Sequence, residues 1–92
     1  MPFFSFDEAK SDWNVRERGL AFTLAEEFDW STAMVQEDIR QDYGERRYRA
    51  LGFIGKRLHV LVFTPRGSQL HIISLRKANQ REVNRYEEKN QS

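Results

Sequence analysis

The chain has no cysteine, and only two histidines and two prolines among its 92 residues. Without thiols it can hold no disulfide scaffold, no cysteine zinc site and no thiol nucleophile. Two histidines alone do not build a usual zinc site, so neither a metal nor another cofactor is expected. No stretch approaches the ~18 apolar residues that mark a membrane span. The opening Met1-Pro2-Phe3-Phe4 lacks the basic region and long apolar run of a signal peptide. A cytoplasmic protein without a membrane partner is the expectation. A large charge of one sign is also lacking, the formal net charge being +1.

That small net charge hides a division. Residues 1–45 hold four Lys/Arg against eleven Asp/Glu, a net −7, and residues 46–92 hold eleven against three, a net +8. An acidic half joined to a basic half suggests a polyanionic partner for the basic part. Seven Phe, three Tyr and two Trp, within 39% hydrophobic residues, indicate a globular chain. The length suits one small domain over residues 1–92.

Asp7 can cap a helix running to about Arg18, with Gly19 as its stop and Phe6, Ala9 and Trp13 at helical spacing. Thr23 followed by Glu26 reads as a capping box for a second short helix, Leu24 to about Trp30. Residues 33–37 are a candidate strand, and 37–45 an acidic loop. Arg46–Ile54, Arg57–Thr64 and Gln69–Lys77 are strand-like runs, separated by Gly55-Lys56 and by Pro65-Arg66-Gly67-Ser68. Asn79 with Glu82 caps a last helix that carries Val83 and Tyr86. The expected fold is α+β: a small antiparallel sheet of about four strands, two short N-terminal helices and a C-terminal helix.

Even-length turns set the register. With Ile54 opposite Arg57 and Pro65 opposite Ser68, one face holds Leu51, Phe53, Leu58, Val60, Val62, Ile73 and Leu75. The other holds Arg57 opposite Arg76, with His59 opposite Ser74. Like charges facing each other across strands are destabilising, and a bridging anion relieves them. Arginines at strand ends also simply extend into water. Arg46, Arg47 and Arg49 serve equally as an edge device against aggregation or as a phosphate-tracking stripe. His71 reads as structural, and Trp13 and Trp30 as core.

The sequence resembles the BrnT family of type II toxins, within the RelE-like group of small ribonucleases. The resemblance rests on Phe6-Asp7-Glu8-Ala9-Lys10, Asn14, Gly19-Leu20-Ala21-Phe22, Tyr43-Gly44-Glu45-Arg46-Arg47, Leu51-Gly52 and Thr64-Pro65-Arg66. It closes on Ile72-Ile73-Ser74-Leu75-Arg76-Lys77-Ala78, then Glu82 and Tyr86. The chain departs from the family pattern at Glu17-Arg18-Gly19, where Lys-His-Gly is usual, and at Asp29-Trp30, where Asp-Pro is common.

The resemblance implies a metal-independent endoribonuclease that cuts mRNA and arrests growth. It also implies neutralisation by a BrnA-like ribbon-helix-helix antitoxin in a hetero-oligomer of dimeric toxin–antitoxin pairs, with DNA contacted only through the antitoxin. On that reading Arg57 and Arg76 stabilise the phosphorane, His59 is acid or base, and Glu45 is a second candidate base. Lys77, Arg47, Arg66 and Arg81 hold the RNA backbone. The rival is a catalytically inactive module of the same fold that binds RNA or protein.

Overall fold

A computed structural model describes residues 3–90. Strand β1 (Phe3–Phe6) leads into helix α1 (Glu8–Arg18), and two 3-10 segments follow at Phe22–Glu27 and Trp30–Thr32. Then come β2 (Met34–Glu37), β3 (Tyr48–Ile54), β4 (Arg57–Arg66), β5 (Gln69–Lys77) and helix α2 (Gln80–Asn90). The strands form one sheet in the order β1-β5-β4-β3-β2. β1 runs parallel to β5, and the other neighbours are antiparallel. Among the described residues no helix is long and apolar enough to cross a membrane.

The expected α+β class holds, with two corrections. The sheet has five strands and is mixed, because Phe3–Phe6 is a strand rather than the lead-in to a helix. Four residues, three of them Phe, are too short a run to show alternation, so their pairing with β5 is a tertiary matter. The expected second helix is 3-10 and begins at Phe22, ahead of Thr23. Elsewhere local chemistry decides. Asp7 accepts from the backbone N–H of Ala9 and Lys10, and Gly19, at φ 72°, closes α1 in the left-handed conformation. Asn79 and Glu82 exchange side-chain to backbone hydrogen bonds of 2.8 and 2.9 Å, the reciprocal capping box expected for α2.

Both sheet faces carry a buried apolar cluster. On the first face Leu20, Phe22, Ala25 and Phe28 bury Ala50, Leu61, Phe63, Ile72 and Leu75. On the second, Tyr86 and Ala78 pack with Leu51, Leu58 and Val60. Tyr86 is the pin of α2: its ring meets Phe53 edge-on at 5.5 Å, and its hydroxyl donates to the carbonyl of Thr32. Gly52 is fixed by contact rather than by backbone angle. A Cβ there would stand 2.6 Å from Phe28 Cζ and 3.2 Å from the Ala33 methyl. Gly52→Ala is therefore expected to cost about 1–3 kcal/mol, the usual range for overpacking, read as a lower urea midpoint.

Candidate functional site

The first hairpin has the expected register, from Ile54 opposite Arg57 to Tyr48 opposite Phe63. The second does not. Its turn is the two-residue Gly67-Ser68, with Arg66 opposite Gln69 and Pro65 opposite Leu70. β3 ends opposite Phe63, so at Pro65 the strand has a neighbour on one side only, where proline is tolerated. A bulge at Val62/Phe63 then lets β5 gain a residue, so Phe63 faces Ile72 while Val62 faces Ser74. From there Val60 opposes Arg76 and His59 opposes Lys77. The expected facing pair Arg57/Arg76 and the pair His59/Ser74 do not form. Strand alternation makes the bulge a face switch: Leu75 joins Leu61 in the first core, while Ser74 and Arg76 join Val62 and Val60 on the α2 face.

The residues expected to share one site are accordingly dispersed. Arg57 is exposed and donates to the carbonyl of Ala78. His59 is buried on the face opposite Arg76, in the Gly52 row, with Nδ1 2.8 Å from the carbonyl of Arg57. Burial holds its imidazole below the usual value, aided by the charges of Arg57 and Lys77. Lys77 and Arg81 are exposed. Glu45 and Arg66 form an ion pair of 3.4 Å near the β4–β5 turn. Arg47 lies 4.0 Å above the ring of Tyr43, a cation–π contact. That contact sits on a braced loop. The buried Asp38 accepts from Arg40 Nε and Nη2 at 2.8 Å and from the Tyr43 hydroxyl at 3.1 Å. Arg40 holds its carboxyl far below the ordinary carboxylate range.

What the fold does assemble lies on the α2 face. Arg76 Nη1 and Nη2 each donate to one oxygen of Glu82 at 2.7 Å. Glu82 can receive them because the capping box locks it at the start of α2. Arg49 and Arg85 line a shallow pocket with Glu82, Met34 and Gln36 above Leu51 and Val60. The Arg49 charge, after that of Arg76, helps keep the Glu82 carboxyl ionised, and Arg40 acts on Arg76 as a like charge. Three arginines thus surround one carboxylate, leaving this end of the face with excess positive charge. Moreover, the Nε atoms of Arg47 and Arg49 are buried with no hydrogen-bond partner. A buried donor left unpaired costs about 1–3 kcal/mol, and an anion at the face would satisfy it.

In the sequence Arg49 reads only as one of a stripe and Glu82 only as part of a helix cap. The capping-box spacing was the available signal for Glu82, since it fixes the carboxylate at the helix start beside the end of β5. Among the described residues no three His, Cys, Asp or Glu side chains gather as a candidate metal site.

Compared with known families, the chain matches over residues 6–82 a family described as "Ribonuclease toxin, BrnT, of type II toxin-antitoxin system". No curated protein matches it.

Proposed function

The chain belongs to the BrnT family of ribonuclease toxins of type II toxin–antitoxin systems, and from that premise we propose how it acts. The family implies an antitoxin partner. The proposed reading is an endoribonuclease that cuts mRNA without a metal, stops growth, and is neutralised by a BrnA-like ribbon-helix-helix antitoxin. DNA would be reached only through that partner. An antitoxin segment suited to the cationic face would be acidic.

The site we assign is the open part of the α2 face. The observation that carries it is the cluster of Arg49, Arg76 and Arg85 around Glu82, beside partnerless Nε donors on Arg47 and Arg49. Attack of a ribose 2′-hydroxyl on the adjacent phosphorus places extra negative charge on the phosphoryl oxygens. Guanidinium groups aimed at that charge stabilise the transition state more than the ground state. Arg76 has one edge committed to Glu82 and to the carbonyl of Lys77. Its Nε edge is left for phosphate, and Glu82 fixes the plane of the fork. Arg47 and Arg49 are two residues apart on the way into and along β3, about 6–7 Å by strand geometry. That spacing lets them hold successive phosphates of a single strand, with Arg66 continuing the track. Arg57 reaches a different part of the α2 face, beside Ala78 and Tyr86. His59 and Lys77 lie on the other face. None of the three is assigned a contact with the reacting phosphate.

Expression of the chain without an antitoxin is expected to arrest growth and to fragment mRNA, and Arg49→Ala to relieve both while the domain stays folded. Arrest by Arg49→Ala equal to wild type rejects the site. Growth without arrest on wild-type expression, with tight binding of intact RNA, supports the non-catalytic module instead.

A further inference from the structure

The cleavage assigned above needs a base for the 2′-hydroxyl, and the arginine cluster holds none. Glu82 has both oxygens engaged, by Arg76 and by the Asn79 N–H. Glu45 is bound to Arg66. His59 is buried on the opposite face.

His71 is placed differently. It sits on β5 opposite Thr64, and its other neighbour in the row is Ser5 of β1. In a regular strand residues 71 and 74 point to opposite faces. The bulge adds one residue between them, which brings His71, Ser74 and Arg76 onto one face. His71 is thereby carried to the face that bears Arg49 and Arg76, one row beyond Ser74. Bulges that re-aim a side chain in this manner recur beside active sites.

The ring is also oriented. Nδ1 of His71 lies 2.9 Å from Ser5 Oγ. With the hydrogen on Nδ1 donated to Ser5, Nε2 bears the lone pair, and among the described residues no side chain or backbone group bonds to it. The ring is half-buried, and Thr64 beneath it is held by its own bond to the carbonyl of Arg46.

We propose that His71 Nε2 takes the proton from the ribose 2′-hydroxyl in RNA cleavage and that Ser5 positions its ring, an inference that rests on the ribonuclease reading above. In the step, the 2′-hydroxyl proton passes to Nε2 as the O2′–P bond forms. The P–O5′ bond breaks, and the departing 5′-oxygen takes a proton from water. The imidazolium then returns its proton to the hydroxide so formed. The products are a 2′,3′-cyclic phosphate and a 5′-hydroxyl end. Burial and the charges of Arg66 and Lys10 lower the His71 pKa, against weaker opposite pulls from Glu45 and Asp7. The ring is therefore neutral, as a base must be, at neutral pH.

The test uses the full chain and a short single-stranded RNA, with kcat/KM followed against pH. Wild type should lose activity on acidification through a pKa below ~6.5. His71→Gln should lower kcat/KM about 100-fold and remove that limb. Ser5→Ala should move the limb, and Ser5→Thr should restore it, which a purely structural serine would not do. His71→Gln cleaving like wild type with the same limb overturns the inference, while a loss of cleavage in Arg49→Ala in the same assay leaves the ribonuclease reading standing. Absence of cleavage by wild type rejects that reading, and His71 is then judged by NMR titration with uridine 3′-monophosphate. Movement of the His71 ring signals supports its place at the phosphate. Movement of the Arg49 Nε signal without that of His71 overturns it.

Discussion

Arg76→Ala is expected to lower RNA cleavage by about 10²–10³-fold, the effect of removing one well-aimed donor from a charge-stabilising site. Growth arrest should disappear with it. The argument is geometric. Both Glu82 oxygens grip one edge of the guanidinium at 2.7 Å, so its plane is set before any substrate arrives. Arg76→Lys keeps the charge but loses the fork, and should recover only a fraction of the rate. Glu82→Gln separates orientation from charge: the amide oxygen can still accept, but the grip is weaker and unidentate, so a smaller loss is expected. Stability provides a control. The Glu82 carboxyl is held below its ordinary value first of all by Arg76. A carboxyl depressed by folding lends stability above its unfolded pKa of about 4.3 and loses it as pH falls through the folded value. Arg76→Ala should accordingly be less stable than wild type at neutral pH and converge with it in acid. Urea midpoints measured at both pH values check this. Equal midpoints at neutral pH would show that the pair seen in the structure does not persist in solution.

The same residues show what a sequence discloses and what it withholds. Caps and turns are local: Asp7, Gly19 and the Asn79/Glu82 box were legible because each acts within three or four residues of itself. The Gly55-Lys56 turn gave the first hairpin register correctly for the same reason. The second hairpin failed twice. Its turn lies one residue further on, at Gly67-Ser68, which shifts the facing partners on β5 by two, because Pro65 can stay in a strand that has already lost its neighbour on one side. The bulge then reversed the facing of everything beyond Ile73, and no residue type there announces it. Arg76 thus stands out in the sequence as a cation, but the strand pattern pairs it with the wrong partner. Its actual partner comes from a helix, which the strand pattern cannot reveal. β1 was illegible for a related reason, since parallel pairing with β5 joins residues 66 positions apart.

Asn14→Ala should be the most destabilising of the substitutions considered, at about 2–4 kcal/mol. Asn14 is 1% exposed, yet its side chain is an amide. Its Nδ2 donates to the carbonyls of Leu20 and Leu75, each at 2.8 Å, and its Oδ1 accepts from Arg18 Nη1. The reason for a buried amide lies in the sheet. β1 pairs with β5 only as far as Phe6 opposite Ile72, so the carbonyl of Leu75 lies beyond the end of its neighbour strand. Asn14 supplies the donor that a longer β1 would have provided, and its second N–H ties down the chain just after Gly19. Alanine leaves two buried carbonyls without partners, each worth about 1–3 kcal/mol. In a chain of this size that is a fall in melting temperature of about 10–20 °C. A fall of only a few degrees would mean that water replaces the amide at both carbonyls. The consequence reaches the site as well, because Leu75 directly precedes Arg76. A β5 released at Leu75 would no longer hold the guanidinium against Glu82. Cleavage by Asn14→Ala should therefore drop even at temperatures where the variant remains folded.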